Sequence, residues 1–215
     1  SSYRKEILPE YKQNRKDKYA DQTDAEKQAF KDFFEEYEET LELLSESYKV
    51  LRFQGVEADD LAAHLVKEKK QYGLSEVWMV SSDRDWDLLI QEGVNRFSYV
   101  TRKEVTIDNW SEHYGVTPEE YISFKCLTGD KGDNVPGING IGPKRAEQLI
   151  GLYGDAMSIY DNVPIPGHYK YIQELNANAD VLLKNYELMD LITYCDDAIG
   201  ADNVSEIQRR MMNAN

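Results

Sequence analysis

Three groups of acidic side chains stand out in the chain: Glu57-Ala58-Asp59-Asp60, Asp83-Arg84-Asp85 with Asp87 two beyond, and Gly129-Asp130-Lys131-Gly132-Asp133-Asn134. Each has an ordinary explanation taken singly, since acids suit the first turn of a helix and Asp or Ser caps the next one. The second group superficially matches a calcium loop. It fails, because Leu88 stands where that loop needs Gly and Val94 where it needs Glu. Taken together, the groups point to hard-cation chemistry. Oxygen donors without a His or Cys pattern select Mg²⁺ or Mn²⁺ over zinc. Gathering so many carboxylates without cations is unfavourable, because like charges raise one another's pKa. A metal-dependent phosphoryl-transfer site accounts for all three.

Two further features carry chemistry. Gly140-Ile141-Gly142-Pro143-Lys144-Arg145-Ala146 joins two helices through glycines. Backbone N–H groups at such an open helix end can face a phosphate oxygen, with Lys144 and Arg145 neutralising it. The contact reads no bases, so it implies binding by backbone and shape. Tyr11-Lys12-Gln13-Asn14-Arg15 sets an aromatic and two cations in a basic segment, residues 1–19, with six basic against three acidic side chains. An aromatic there can stack on an unpaired base while the cations hold phosphates.

The elements that must position these groups read as an α/β domain. Tyr48–Phe53 has strand character, a helix is expected over Ala58–Lys70, Val77–Ser81 reads as a buried strand, and Asp87–Ile90 opens the next helix. That order predicts a largely parallel sheet with flanking helices, whose ligands bind beyond the carboxyl ends of the strands. Arg96–Val100 and Glu104–Ile107 form an edge hairpin. Apolar and aromatic residues from Phe30 to Leu44 recur at helical spacing among acids, giving an amphipathic helix with an acidic face. Pro9 separates it from the basic segment. Beyond Thr117-Pro118-Glu119-Glu120, a helix start, the chain turns helical, with helices expected at Pro143–Leu152 and Ala179–Leu191. Two units follow: 1–116, an α/β core with a helical arch at about 10–47, and 117–215, a helical subdomain with the glycine turn.

Composition limits the alternatives. The chain has 215 residues and a formal net charge of −15, with 41% hydrophobic and 11% aromatic residues. Global disorder and low complexity are excluded. No run approaches the length of a membrane helix, and the first residues lack the apolar core of a signal peptide. With only Cys126 and Cys195, a disulfide scaffold is not expected and a reducing, cytoplasmic compartment is. The acidity argues against a generic nucleic-acid binder, unless bound metals offset the carboxylates.

The motifs, in order, resemble those of the prokaryotic 5′ nucleases: Leu8-Pro9-Glu10-Tyr11-Lys12-x-x-Arg15, Gly55-Val56-Glu57-Ala58-Asp59-Asp60, Ser82-Asp83-x-Asp85, Gly129-Asp130-x-x-Asp133-Asn134-Val135-Pro136-Gly137 and Gly140-Ile141-Gly142-Pro143-Lys144. That family comprises flap endonucleases and 5′–3′ exonucleases, including the corresponding domain of family A DNA polymerases. The chain is most similar to the free-standing bacteriophage enzymes. The resemblance implies a Mg²⁺- or Mn²⁺-dependent phosphodiesterase, two metals per site, acting on flaps and other 5′-ended or branched DNA and on RNA primers. It implies that Glu57, Asp59, Asp60, Asp83 and Asp85 serve the first metal and Asp130 and Asp133 the second. Lys12 and Arg15, at the base of an arch, polarise the scissile phosphate, and Tyr11 stacks on a base. Gly140, Gly142, Lys144 and Arg145 form a helix–turn–helix clamp on duplex DNA, whose carbonyls commonly bind K⁺. A monomer without a membrane partner is expected. The family also carries a first strand and two aspartates that would precede Ser1, so the sequence reads as N-terminally incomplete. Two other readings stay open: a catalytically defective, DNA-gripping fragment or relative, and an RNA-cleaving relative, which the glycine turn and basic arm disfavour.

Overall fold

The computed structural model describes residues 2–213, so the outermost residues of both expected units lie outside it. Helix α1 (Arg4–Ile7) precedes α2 (Gln13–Ala20) and the long α3 (Asp24–Ser45). A capping box starts α3: Glu26 N–H donates to the Thr23 hydroxyl, and Thr23 N–H donates to the Glu26 carboxylate at 2.8 Å. The expected apolar stripe is present, with Phe30 and Phe34 rings 4.8 Å apart. The rest of the chain leaves it uncovered, however: no residue of α3 is buried, and Phe33 is 58% exposed.

Helix α4 (Ala58–Lys67) buries Leu61, Ala63 and Val66, and also Asp60 and His64. His64 is satisfied on both ring nitrogens, by Asp196 at 2.6 Å and Tyr72 at 2.7 Å. Strand β1 (Val77–Val80) leads through a 3₁₀ turn, Arg84–Leu89, to β2 (Val94–Ser98) and β3 (Lys103–Val105). Parallel pairing is confined to β1 and β2, with Val77 opposite Val94, and the expected hairpin supplies the antiparallel pair, with Arg96 opposite Val105.

Three sequence expectations fail here, one being the helix expected to open at Asp87–Ile90: that run closes the 3₁₀ turn at Leu89 instead. Tyr48–Phe53 forms no strand. Side chains hold it instead: Lys49 donates to the carbonyls of Arg210 and Asn213, Arg210 donates to Val50 O, and Arg52 pairs with Glu38. The run Val77–Ser81 is buried on one face only, Met79 facing in while Val80 is 64% exposed. A short apolar run does not itself distinguish one buried face from two.

After a second 3₁₀ turn at Trp110–Glu112, α5 (Tyr121–Thr128) runs into the minimal hairpin β4 (Gly129–Asp130) and β5 (Val135–Pro136). Helices α6 (Pro143–Tyr153), α7 (Ala156–Asp161), α8 (Lys170–Ala177), α9 (Asp180–Met189), α10 (Leu191–Ile199) and α11 (Ala201–Met212) complete the chain. One apolar cluster joins both halves, running from Ala63, Met79 and Val94 through Cys126 and Leu127 to Leu149, Ile159 and Leu182. Buried Asn185 ties α9 to it, donating to Cys126 O at 3.0 Å and Pro136 O at 2.8 Å. No helix among the described residues is long and apolar enough to cross a membrane.

Candidate metal and phosphodiester site

The hairpin β4–β5 holds Asp130 and Asp133 through two glycines that leave no room for anything larger. A Cβ on Gly129 would lie 2.3 Å from Gly137 N, and one on Gly137 2.3 Å from the Thr128 carbonyl carbon. Gly137→Ala must therefore push the two backbones apart. We expect a loss of about 1–3 kcal/mol, seen as a lower thermal midpoint, together with weaker divalent-ion binding by isothermal calorimetry.

Across from the hairpin, Lys12 opens α2 in a left-handed conformation, φ 55° and ψ 19°. For a residue with a side chain this costs about 1–2 kcal/mol. It is held by Lys12 N–H donating to Asp133 O at 2.9 Å. The conformation sends the ammonium into the first acidic group. There it pairs with Glu57, reaches Asp133 at 3.6 Å and lies 4.0 Å from Asp59. Arg15, half out in solvent, pairs with Asp133 at 2.6 Å. Trp86 donates its indole N–H to Asp59 at 2.7 Å.

A second cluster surrounds Lys125 on α5. Its ammonium pairs with Asp85 and, at 2.8 Å, with Asp130, whose other oxygen accepts from Asp133 N–H at 3.1 Å. Lys125 escaped the sequence reading. Its one signal was a lone cation in the apolar stretch Tyr121–Leu127, since Lys is rarely buried unless paired.

The electrostatics follow from burial set against these cations. Burial pushes the Asp85 carboxyl up to about 6 even beside Lys125, and burial likewise raises Asp59. Burial also opposes ionisation of Asp130 and Glu57, but Lys125 and Lys12 outweigh it and hold both below the usual carboxylate range. For Lys125, burial favours the neutral amine, and Asp85 and Asp130 overcome it.

The structure brings Asp59, Asp85, Asp130 and Asp133 to one cavity of about 30 Å³, also lined by Tyr11 and Lys125. That is room for a few water molecules at most, the scale of ions rather than of a nucleotide. Asp83 sits at its exposed rim, its carboxylate accepting from Asp85 N–H at 3.0 Å. Among the described residues no three acidic, His or Cys side chains are close enough to hold a metal. The donor set nevertheless fits a hard divalent ion. Lys12 and Lys125 stand between the carboxylates, where a cation would compete with their ammonium groups.

Two expected roles need correction. Asp60 is 2% exposed, and both its oxygens accept from Arg4, at 3.0 and 2.7 Å. A carboxylate spent in this way is structural, which removes Asp60 from the metal set. Arg4, in turn, belongs to the core rather than to a solvated basic arm. Tyr11 offers no ring to a base: it is 4% exposed, packed among Leu8, Val135, Leu188 and Met189. Its hydroxyl donates to Asp133 at 3.0 Å. Burial, then Asp133 and Glu57, raise its pKa and keep that proton in place.

At the glycine turn, Gly140 has φ +82°, a conformation that favours glycine. Gly142 has φ −98°, and a Cβ there would meet nothing within 4 Å, so the fold itself does not require glycine at that position. Its small size leaves open space before α6, whose first residue is Pro143. Lys144 and Arg145 are exposed. Arg145 donates to Gly140 O at 2.6 Å and lies 4.4 Å from the Tyr171 ring centroid.

Residues 1–115 match the family described as 5′–3′ exonuclease, N-terminal resolvase-like domain, and residues 116–212 match 5′–3′ exonuclease, C-terminal SAM fold. The flap endonuclease of Escherichia phage T5 is 45% identical over 202 residues, which is 94% of this chain and 69% of that protein. DNA polymerase I of Rhizobium leguminosarum is 36% identical over 140 residues, 65% of this chain and 14% of the polymerase. A solved T5 flap endonuclease, in a pseudo-enzyme–product complex with DNA and metal ions, superposes with a TM-score of 0.93 at 42% identity. That alignment covers 99% of this chain and 79% of the other.

Proposed function

The chain belongs to the 5′–3′ exonuclease family of flap endonucleases, and we propose that it hydrolyses phosphodiester bonds of 5′-ended and branched DNA, flaps and RNA primers included. Two divalent ions, Mg²⁺ or Mn²⁺, would be held by Glu57, Asp59, Asp83 and Asp85 on one side and Asp130 and Asp133 on the other. The observation that carries the reading is the convergence of Asp59, Asp85, Asp130 and Asp133 on one ion-sized cavity beside Lys12 and Arg15. When bound, such ions supply the charge that activates water and stabilises the leaving oxygen of an in-line displacement.

This chain's own residues do the rest. Lys12 and Arg15 pair with Glu57 and Asp133 in the resting protein. With those acids engaged on cations, Lys12 and Arg15 would be free to face a phosphate and stabilise the charge that builds up on it. Tyr11 keeps Asp133 oriented, and Trp86 does the same for Asp59. The turn before α6 grips the backbone of duplex DNA through Lys144 and Arg145. A K⁺ ion there would draw on the carbonyls of this turn, where those of Ile138, Gly140 and Gly142 each already accept a hydrogen bond and a carbonyl oxygen has two lone pairs. The protein acts as a monomer in a reducing compartment, the host cytoplasm if phage-encoded, in keeping with two free buried cysteines.

The test is cleavage of a 5′-labelled flap duplex. Product near the junction with Mg²⁺, and none with a chelator, is expected. Binding without cleavage would favour the second reading, a DNA-gripping relative without metal chemistry. The observation on that side is that Lys12 and Lys125 already neutralise the carboxylates, with no three of them in metal-binding array among the described residues.

A further inference from the structure

The turn that carries Asp83 and Asp85 has a second face. Between those acids, Arg84 turns away from the carboxylate cavity, its guanidinium 5.4 Å from the Tyr114 ring centroid. There it borders a separate cavity of about 420 Å³, also lined by Ser82, Arg96, Ser98, Thr101, Lys103, His113 and Tyr114. The size falls in the range of small-ligand sites, about 300–1,000 Å³. The cavity lies past the carboxyl end of β1 and at that of β2, where α/β sheets place ligands.

Its charge is the opposite of the chain's. In a protein of net charge −15, no Asp or Glu lines this cavity. Asp87, an acid behind it, is consumed: Arg96 donates to both its oxygens, at 2.5 and 2.8 Å, and the Tyr114 hydroxyl donates to it as well. Arg96 gives its remaining arm to Ser81 O at 3.0 Å, so that pair forms a rigid, neutral floor. Arg84 and Lys103 form no ion pair among the described residues. They stand over the floor with the hydroxyls of Ser82, Ser98 and Thr101 nearby. Among the described residues the buried Nε2 of His113 has no hydrogen-bond partner, and a buried polar atom left so is costly.

We propose that this cavity binds a phosphate group, with Arg84 and Lys103 as its charged ligands and His113 as a neighbouring hydrogen-bonding group. An exposed guanidinium fork beside an ammonium and hydroxyls matches the geometry and charge of phosphate oxygens. The group comes either from the backbone of a DNA strand passing around the 83–85 turn or from a free 5′-mononucleotide. Only the first source rests on the nuclease reading above.

The chain has three histidines, so the ring signals of His113 can be assigned in proton–carbon NMR spectra by substitution. In chelator, titration of the full chain with inorganic phosphate and with thymidine 5′-monophosphate is expected to shift His113 saturably and leave buried His64 unmoved. Arg84→Gln and Lys103→Gln should each weaken the response about tenfold. Lys103 is exposed on the hairpin, so its variant serves even if Arg84→Gln disturbs the turn. Duplex binding across a salt series then separates the sources. If the strand is the ligand, the double variant lowers the slope of log K against log salt by about 1, the value for one phosphate contact. If the slope stays unchanged while the mononucleotide still shifts His113, the phosphate arrives on a free nucleotide. No shift of His113 with either anion, together with an unchanged salt slope, overturns the site. Failure to cleave a flap with Mg²⁺ would remove the nuclease reading and leave the phosphate titration standing.

Discussion

Asp133→Ala is expected to slow flap cleavage by at least about a hundredfold while duplex binding in chelator stays the same or tightens slightly. Changes to groups that merely orient metal ligands cost about 10–100-fold, and Asp133 is proposed as a ligand itself. The substitution is clean in structural terms. The bond that fixes the hairpin to Lys12 runs through the Asp133 carbonyl, which alanine retains. The lost carboxylate accepts from Tyr11 and pairs with Arg15 and Lys12, so two cations are freed on the surface that meets DNA. Removing a negative charge there cannot weaken phosphate binding. Single-turnover cleavage in Mg²⁺, beside fluorescence anisotropy in chelator, separates the two effects. Undiminished cleavage would sink the assignment of Asp133, and parallel loss of cleavage and binding would mean that the hairpin had collapsed.

The meeting of carboxylates from three places was legible in the sequence, because such groups are unfavourable apart from cations wherever they gather. Which cations meet them was less legible. Pattern reading assigns a charged residue to solvent, and that rule sent Arg4 to a basic arm and passed over Lys125. Both are buried because their partners are. Arg4 faces Asp60 from 56 positions away, and Lys125 faces Asp85 from 40 positions away. No local periodicity carries separations of that kind. Elements with local signals were recovered well: the hairpin β2–β3, α6 opening at Pro143, and the amphipathic helix through Phe30–Leu44, which is α3. Tyr48–Phe53 failed for a related reason. Its β-type residues are real, but strand structure needs a ladder partner, and at this position the contacts offered come from α11 and from Glu38 on α3. Tyr11 shows the same limit from the other side, an aromatic among cations whose ring belongs to a small apolar core and whose hydroxyl alone reaches the site.

Arg4→Met should cost the fold about 3–5 kcal/mol, the usual result of removing one partner from a buried ion pair. Arg4 and Asp60 are 1% and 2% exposed, and Arg4 also donates Nε–H to Leu188 O at 3.0 Å, joining α1 to α9. The variant leaves the buried Asp60 carboxyl without its counter-charge. At about 2–4 °C per kcal/mol for a chain of this size, the thermal midpoint should fall by roughly 6–20 °C. The double variant Arg4→Met/Asp60→Leu should regain most of that loss, because replacing a whole buried pair with apolar side chains is often neutral. What remains is the unpaired Leu188 carbonyl, about 1 kcal/mol. The double variant also tests whether Asp60 serves a metal. With Asp60 purely structural, it should bind divalent ions and cleave a flap within a few-fold of the parent. If stability returns while metal binding does not, Asp60 contributes to the site through more than its ion pair, and its place among the ligands must be restored.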